Sequence, residues 1–346
     1  MFVDDQFVTK ITPLVGGRYR GCNVLVAGGG GFLGYNCSEA LRSLGAKVSI
    51  LSRRHPAASD ARWKVIRGDA RDPVIARSAV EGQEFVFDFL GGPAAVGSNH
   101  SPMESLEGEL RAHLSLFEAC ANAKSKPVLM FCSSRLVYGT PEYLPVDESH
   151  PLKPQSFYAI NKVAAEKYLE LFGQYKGLRY CTIRLSNPYG PGQPEETKGY
   201  GIINRFLRAA ANGREIVVYG DGSQKRDYVH VSDVMIAFLA CAVSDGCYGK
   251  TLNIGGKSVA TLRDVVTTIS ALAGGTPVRF EPWPADYKSV ETGDYISDQQ
   301  QINMALRLPP QVSPRDGFAS ALLSYGMQVN RSVIDQHELT NKAAML

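Results

Sequence analysis

The sequence predicts an α/β protein built on a doubly wound parallel sheet, and three observations lead to this fold class. Short apolar, β-branched runs alternate with amphipathic helical segments along the first half of the chain, which is typical of consecutive βαβ units. The first of these runs ends in a cluster of glycines. The 346 residues are 44% hydrophobic and 21% charged, a composition typical of globular rather than disordered chains.

The first two strands flank the glycine cluster. The apolar run 23–27 leads into the glycine-rich loop, and the segment 35–44 has the periodicity of a helix. A second strand follows at 47–51. Strand, glycine loop, helix and strand within about 30 residues is the setting of a Rossmann-type dinucleotide-binding site. The loop residues assigned to the cofactor are Gly28, Gly31, Phe32, Leu33 and Gly34.

Glycine is needed at three places in such a loop. Gly28 permits the tight turn, Gly31 lets the backbone approach a pyrophosphate, and Gly34 lets the helix pack close to the sheet. The N-terminus of the helix then offers free N–H groups and the positive end of its dipole to the phosphate. A glycine-rich turn without a ligand is the alternative, and the flanking strands favour the binding site.

The end of the second predicted strand discriminates between cofactors. NAD sites usually carry Asp or Glu there, which binds the ribose 2′-hydroxyl, whereas this chain has Ser52, Arg53 and Arg54. Two guanidinium groups match a 2′-phosphate. The sequence therefore favours NADP over NAD, with an exposed basic loop end as the alternative interpretation.

Three more predicted strands continue the alternation, and small or polar residues follow them. These strands are expected at 65–69, 85–90 and 128–132, with a helix at 106–123 before the last one. In a parallel sheet, the carboxyl ends of the strands surround a bound dinucleotide. The residues at these ends assigned to the cofactor are Asp69, Ala70, Leu90, Gly91 and Gly92.

A candidate catalytic pair opens a long amphipathic helix predicted from 158 to about 172. Tyr158 and Lys162 are four residues apart and therefore lie on one helix face. The charge of Lys162 is expected to lower the pKa of Tyr158 from about 10 towards neutrality, so that the phenol exchanges a proton with a substrate hydroxyl. Ser134, after the fifth strand, is placed to bind the same oxygen. An exposed helix pair is the alternative.

Charge, hydropathy and cysteine usage exclude several other classes. The 37 Lys and Arg nearly balance 34 Asp and Glu, so no excess of positive charge marks a nucleic-acid-binding protein. The longest strongly apolar run, 234–243, is too short to span a bilayer, and the acidic N-terminus is unlike a signal peptide. The seven cysteines lack the spacing of zinc ligands. We therefore expect a cytoplasmic protein with buried thiols and no metal, nucleic-acid or membrane partner.

Taken together, the motifs resemble the extended short-chain dehydrogenases/reductases that modify nucleotide sugars. The resemblance covers nearly the whole chain and includes the glycine loop, the tyrosine–lysine pair and the segments 133–139, 184–192 and 226–231. It implies a Rossmann-type NADP-binding domain and a smaller C-terminal α/β substrate domain, with a nucleotide sugar bound between them.

The resemblance also implies roles for individual residues. Tyr158 would be the acid/base, Lys162 would hold the nicotinamide ribose and tune Tyr158, and Ser134 would bind the reacting sugar oxygen. Ser133 and Ser134 are assigned to the substrate. Asn187 and Arg226 would contact the phosphates of the nucleotide, and Val218 and Tyr219 would flank its base. The fork of Arg226 suits a diphosphate, and a salt bridge to Asp227 or Asp221 is the alternative.

The sequence departs from the family pattern at three places, and these departures limit the expected reaction and substrate. Arg135 and Leu136 stand where 4,6-dehydratases carry an acidic pair and decarboxylases carry one Glu, so elimination and decarboxylation lack their usual acid. Glu291 stands where a phosphate-binding Arg is common, and it would repel a diphosphate unless Lys288 substitutes. Glu109 stands where many relatives have Asn.

The remaining chemistries are hydride transfers at the sugar C4. The resemblance leaves open reduction of a 4-keto sugar and C4 epimerisation, and a catalytically silent NADP-binding regulatory protein is the alternative. It further implies a homodimer formed through the helices at 106–123 and 158–172. The candidate residues for that dimer interface are Leu114, Phe117, Leu169 and Phe172. Packing in the core of the subunit explains these apolar residues equally well.

The predicted organisation follows from the resemblance. Residues 1–21 and 327–346 are expected to be polar extensions without chemistry. The predicted domains are an NADP-binding domain at 22–185, to which 228–256 returns, and a substrate-binding domain made of 186–227 and 257–326.

Overall fold

The structure is a computed structural model that describes residues 3–53, 62–92, 94–193 and 201–329. Its strands are β1 Asn23–Ala27, β2 Lys47–Ser52, β3 Lys64–Arg67, β4 Phe85–Asp88, β5 Val128–Ser134, β6 Tyr180–Leu185, β7 Asn187–Tyr189, β8 Ile216–Tyr219, β9 Lys225–His230, β10 Lys250–Ile254, β11 Val259–Thr261 and β12 Val278–Glu281. Its helices are α1 Asp5–Val15, α2 Phe32–Ser43, α3 Pro73–Val80, α4 Ala95–His100, α5 Pro102–Ser105, α6 Arg111–Asn122, α7 Phe157–Lys176, α8 Ile202–Ala211, α9 Val231–Ala242, α10 Leu262–Leu272, α11 Ala285–Lys288, α12 Gln300–Ala305 and α13 Pro314–Ser324. A π-helical turn spans Leu106–Leu110, and 3₁₀ turns span Arg135–Tyr138 and Asp245–Cys247.

Seven parallel strands form the main sheet, which confirms the predicted Rossmann-type fold. Their order is β10-β6-β5-β4-β1-β2-β3, and every neighbouring pair is parallel. The chain winds outward from β1 in one direction through β2 and β3, and then in the other through β4, β5 and β6. The point at which the order reverses lies between β1 and β4, where ligands bind in doubly wound sheets.

The alternation of side chains along β1 shows why both faces of this sheet are covered. Val24 and Val26 pack into one core with α1, α2 and α9, whereas Leu25 and Ala27 pack into another with α3, α6 and α7. All four side chains are fully buried. Since successive residues of a strand point to opposite faces, a continuous apolar strand requires helices on both sides.

The predicted N-terminal extension is part of the core. Helix α1 packs on α9 and buries Phe7, Ile11 and Val15. Beyond it, the hydroxyl of the buried Tyr19 donates to the carbonyl of Leu239 at 2.7 Å. This segment therefore stabilises the face of the main sheet that carries α9.

A second group of elements has its own core. The small sheets β11-β9-β7 and β12-β8 pack with α8, α10 and α13 around a separate apolar cluster. Between β9 and β11 the chain passes back to the main sheet, where α9 covers one face and β10 pairs with β6. The end of β9 and the loop after β10 therefore lie where the two groups meet.

Two helix boundaries differ from the prediction, and their caps explain the differences. Gly31 has extended backbone, so α2 begins at Phe32, directly after the glycine loop. Helix α7 begins at Phe157 because the Ser156 side chain accepts the N–H of Ala159. It continues to Lys176 and ends where Gly177 adopts the left-handed conformation, with a φ of 67°.

The thiols behave largely as expected. All seven cysteines are free, and all of them except the partly exposed Cys22 are buried. Within the part of the chain that the structure describes, no helix combines the length and apolar character that a bilayer crossing requires.

Candidate active site

The glycine loop forms a cradle at the reversal point of the sheet. Gly28 has a φ of 79°, and a Cβ atom there would lie 2.5 Å from the carbonyl oxygen of Phe89. A Cβ atom on Gly34 would lie 2.3 Å from the carbonyl oxygen of Gly28, so any larger residue would push α2 away from the sheet. Gly31 caps α2 without a side-chain bond. The loop therefore fits a dinucleotide pyrophosphate at the start of α2.

The residues expected near the adenosine ribose meet at the ends of β2 and β3. Arg53 is exposed after β2, and the hydroxyl of Ser52 lies beside Gly30. Asp69 is paired with Arg71, whose Nη2 lies 2.7 Å from Oδ2. This contact with Arg71, helped by the charge of Arg53, lowers the pKa of Asp69. Arg54 lies outside the described residues.

On the opposite side of the cradle, two buried carboxylates bind backbone N–H groups. The N–H of Leu90 donates to Asp88 Oδ1 at 2.9 Å, and the N–H of Gly92 donates to Glu109 Oε1 at 3.1 Å. Ala70 is buried at the end of β3. The predicted cofactor loops therefore have fixed backbone positions along the carboxyl edge of the sheet.

Tyr158, Ser134 and Lys162 converge at this edge. Tyr158 hydrogen-bonds Ser134, and Lys162 Nζ lies 5.8 Å from the centroid of the Tyr158 ring. The expected lowering of the Tyr158 pKa is wrong for this structure. Burial raises the pKa of Tyr158, the charges of Glu109 and Cys132 raise it further, and the hydrogen bond with Ser134 lowers it. Lys162 does not offset the desolvation because its ammonium group is directed to other partners.

Those partners form a buried chain that the sequence interpretation missed. Lys162 Nζ donates to the Cys132 carbonyl at 3.0 Å and lies 3.2 Å from His113 Nε2. On the other side of the ring, His113 Nδ1 lies 2.7 Å from Asp88 Oδ2. Since the ammonium group can only donate, Nε2 accepts and Nδ1 carries the proton that Asp88 accepts. The sequence feature that could have revealed these contacts is the histidine among the apolar positions of α6.

Glu109 is a further buried group whose charge acts on Tyr158. It is fully buried on the π-helical turn before α6, a distortion that is frequent at functional sites. Its Oε2 accepts from Ser105 Oγ at 3.1 Å, and Ser105 Oγ accepts from Asn161 Nδ2 at 3.0 Å. Its charge therefore acts on Tyr158 from a fixed position.

Ser133 is directed away from Tyr158 and Lys162. Its hydroxyl donates to Glu166, which forms a buried ion pair with Arg184 at 2.7 Å. Side chains alternate along β5, so Ser133 and Ser134 cannot both face the same site. The sequence assignment of Ser133 to the substrate therefore has no support in its contacts.

Arg226 and Asn187, the residues assigned to the phosphates, both bind side chains from other segments of the chain. Arg226 is buried, and its guanidinium is paired with Glu291 rather than with Asp227 or Asp221. Asn187 Oδ1 accepts from Arg135 Nε at 3.2 Å. Lys288, the proposed substitute for a phosphate-binding arginine, is exposed at the end of α11.

The two residues assigned to the base differ in position. Tyr219 is partly exposed, with the rings of Trp283 and Tyr287 at centroid distances of 6.1 and 5.2 Å. Val218 is fully buried in the core formed by α8, α10 and α13. Tyr219 can stack on a base, whereas Val218 could contact one only through its backbone.

A known protein family and a curated relative match most of this chain. The model of the NAD dependent epimerase/dehydratase family matches residues 24–255. The chain is 28% identical over 310 residues to a UDP-glucose 4-epimerase from Mycolicibacterium smegmatis, covering 86% of this chain and 96% of that protein.

Two solved structures are similar over most of the chain. A UDP-N-acetylglucosamine 4-epimerase from Methanobrevibacter ruminantium, in complex with UDP-N-acetylmuramic acid, has a TM-score of 0.81 at 26% identity, with 88% of this chain and 98% of that chain covered. A UDP-glucose 4-epimerase from Thermus thermophilus, in complex with NAD, has a TM-score of 0.78 at 27% identity, with 88% and 99% covered.

Proposed function

Because this chain belongs to the NAD dependent epimerase/dehydratase family, we propose that it transfers hydride at C4 of a nucleotide sugar with Tyr158 as the acid/base. The observation that carries this proposal is the convergence of Tyr158, Ser134 and Lys162 beside the glycine cradle. Nicotinamide, when bound, supplies or accepts the hydride. The reaction is either reduction of a 4-keto sugar or C4 epimerisation.

The protein groups handle the proton and the position of the sugar. With its pKa raised, Tyr158 carries its proton near neutral pH and can donate it to a keto oxygen. Ser134 can hold the same oxygen through its hydroxyl. Lys162 is fixed by the Cys132 carbonyl and His113, near the Tyr158 ring. The absence of an acid at Arg135 and Leu136 argues against dehydration.

An absorbance assay tests this function. Purified protein is mixed with NADPH or NADP and a panel of UDP-, GDP-, CDP- and dTDP-sugars, with their 4-keto derivatives, and absorbance is followed near 340 nm. Stoichiometric loss of NADPH with a 4-keto sugar identifies reduction. Conversion of a sugar to its C4 epimer without net NADPH change identifies epimerisation. Absence of both reactions for every sugar would refute the proposal.

A silent NADP-binding role is the second candidate, and Glu109 is the observation that favours it. The buried carboxylate of Glu109 raises the Tyr158 pKa and so disfavours the phenolate that removes a proton from a hydroxyl. Under this alternative the cradle binds NADP, and no sugar is converted.

We propose NADP as the cofactor on the basis of Arg53. The exposed Arg53 lies near Asp69, whose charge is already paired with Arg71. In addition, the only acid of α2, Glu39, is fully buried and paired with Arg62 at 3.0 Å, so it is not available to a ribose hydroxyl. The similar Thermus thermophilus structure holds NAD, so the binding constants of NADPH and NADH are the test of this proposal.

Replacing Arg53 by alanine is expected to weaken NADPH binding by about tenfold to 100-fold, because a charge-assisted bond to the 2′-phosphate is lost. Binding of NADH should change little. Dissociation constants measured by fluorescence titration check this, with the exposed Arg77→Ala on α3 as the control. An equal loss for both cofactors, or no loss, would contradict the NADP assignment.

We also propose a homodimer, formed through an apolar stripe on α7. Phe117 and Leu169, two of the residues considered for the dimer interface, are fully buried in the core, so they are not available to a partner. Instead, α7 exposes a row of large apolar side chains, between 43% and 72% exposed, that would be covered in a dimer. This row consists of Phe157, Ile160, Tyr168, Leu171 and Tyr175.

Leu171→Glu is expected to convert a dimer into a monomer of 37.6 kDa, because the charge would be buried at the centre of the stripe. Light scattering coupled to gel filtration measures the mass. Met304→Glu, at the 79% exposed Met304 of α12, is the matched control and should leave the mass unchanged. A wild-type monomer, or a dimer that survives Leu171→Glu, would rule out this interface.

A further inference from the structure

Arg135 directly follows Ser134, and its guanidinium crosses to the second group of elements. Nε donates to Asn187 Oδ1 at 3.2 Å, and Nη1 donates to Thr292 Oγ1 at 2.8 Å. The guanidinium carbon lies 5.3 Å from the centroid of the Tyr295 ring. Arg135 is thus held in one orientation by contacts from two distant segments and one aromatic face.

The groups that accept hydrogen bonds from Arg135 carry no formal negative charge. Its hydrogen-bond acceptors are neutral amide and hydroxyl oxygens, and among the described residues it forms no ion pair. As a residue Arg135 is only partly buried. Burial of the guanidinium and the charge of Arg226 lower its pKa to about 10, although the charges of Glu291 and Asp227 oppose this lowering. A cation in such surroundings favours an anionic partner.

The nearby carboxylates are already engaged. Glu291 is paired with Arg226 and also accepts the N–H of Gly293 at 3.0 Å. Asp227 is buried and accepts hydrogen bonds from Ser186 and Ser297. Burial raises the pKa of Asp227, although these hydrogen bonds oppose that rise. The charge of Glu291 therefore acts on both arginines, but its carboxylate is paired with Arg226.

We propose that Arg135 binds an anionic oxygen of the substrate, and that Glu291 competes with this ligand for the two guanidinium groups. The guanidinium uses two of its five N–H donors within the protein, which leaves donors for a phosphate or carboxylate. The inference rests on the proposed function for the identity of the ligand as a nucleotide sugar. The anion is either the diphosphate or a carboxylate on the sugar.

Arg135 acts here as a substrate-binding residue that determines specificity. If its anion is the diphosphate, it supplies the second cation that the sequence lacks at Glu291. If its anion is a sugar carboxylate, the protein acts on sugar acids. In both cases the charge of Glu291 balances that of the two arginines when no ligand is bound, and the anion of the ligand takes over that role.

Isothermal titration calorimetry on the full chain tests the proposal with pyrophosphate, UDP, UDP-glucose and UDP-glucuronic acid. Arg135→Met is expected to weaken binding by about tenfold or more. Loss with pyrophosphate and UDP assigns the diphosphate, and loss with UDP-glucuronic acid alone assigns the carboxylate. Glu291→Gln, which removes the competitor, should tighten the same ligand, and it remains informative if Arg135→Met does not fold. Arg279→Met, in an exposed ion pair, is the control.

Other results of the same titrations would overturn the proposal or separate it from the proposed function. Equal affinities of wild type and Arg135→Met for all four ligands would overturn the proposal, as would a wild type that binds none of them. Tightening by Glu291→Gln without loss in Arg135→Met would assign the competition to Arg226 alone and remove Arg135 from the site. Anion binding that depends on Arg135, in a protein that converts no nucleotide sugar, would leave this inference standing and refute the proposed function.

Discussion

Tyr158→Phe is expected to lower kcat by about 10²–10⁴, the usual contribution of a positioned proton donor. The phenylalanine ring keeps the packing of the half-buried Tyr158 side chain and removes only the hydroxyl that meets Ser134. Binding of NADPH and of the nucleotide sugar should therefore remain nearly unchanged. Steady-state rates and binding constants, measured on the same preparation, separate the two effects.

Tyr175 provides a matched control for this substitution. It lies on the same helix, α7, and is 72% exposed, so Tyr175→Phe should retain wild-type turnover. If Tyr158→Phe also retained wild-type turnover, Tyr158 would not be the acid/base. If neither protein converts a sugar while both bind NADPH, the silent NADP-binding role is favoured.

Glu166→Gln is expected to destabilise the protein by about 3–5 kcal/mol, because it leaves a buried guanidinium without its counter-charge. The Glu166 and Arg184 side chains are 0% and 5% exposed, and their closest atoms are 2.7 Å apart. Glu166 also accepts the hydroxyl of Ser133. Urea unfolding followed by circular dichroism gives the free energy of unfolding.

The exposed pair of Glu215 and Arg279 is the control for this measurement. Their side chains are 40% and 52% exposed, so solvent screens their attraction, and Glu215→Gln should cost no more than about 1 kcal/mol. A similar small cost for Glu166→Gln would show that the buried pair contributes no more than a surface pair. The two variants carry the same chemical change and differ chiefly in burial.

The wrong pKa prediction for Tyr158 shows where local reasoning fails. A spacing of four residues on a helix does bring Lys162 to the same face as Tyr158. The pKa depends, however, on desolvation and on every charge around the hydroxyl. The charge of Glu109, on the π-helical turn, raises the pKa of Tyr158, and the Lys162 ammonium group is bound to His113. Neither interaction follows from the spacing within α7.

The apolar, β-branched runs and the glycine loop predicted five of the seven strands of the main sheet, and β6 and β10 were missed. Their periodicity and order are local properties, and the chirality of βαβ crossovers leaves few ways to arrange them. The glycine cradle was predictable for the same reason, since its backbone turn involves neighbours in the sequence. The tyrosine–lysine pair follows from helix geometry. For these features the sequence alone was sufficient.

Only the tertiary structure decided which charges meet in the site. Arg226 pairs with Glu291, 65 positions away, Arg135 reaches Thr292 across 157 positions, and His113 joins Lys162 to Asp88. The direction of Ser133 likewise depends on the register of β5 within the sheet. Electrostatic contacts act through space, so partners far apart in sequence become fixed only when the strands and helices pack.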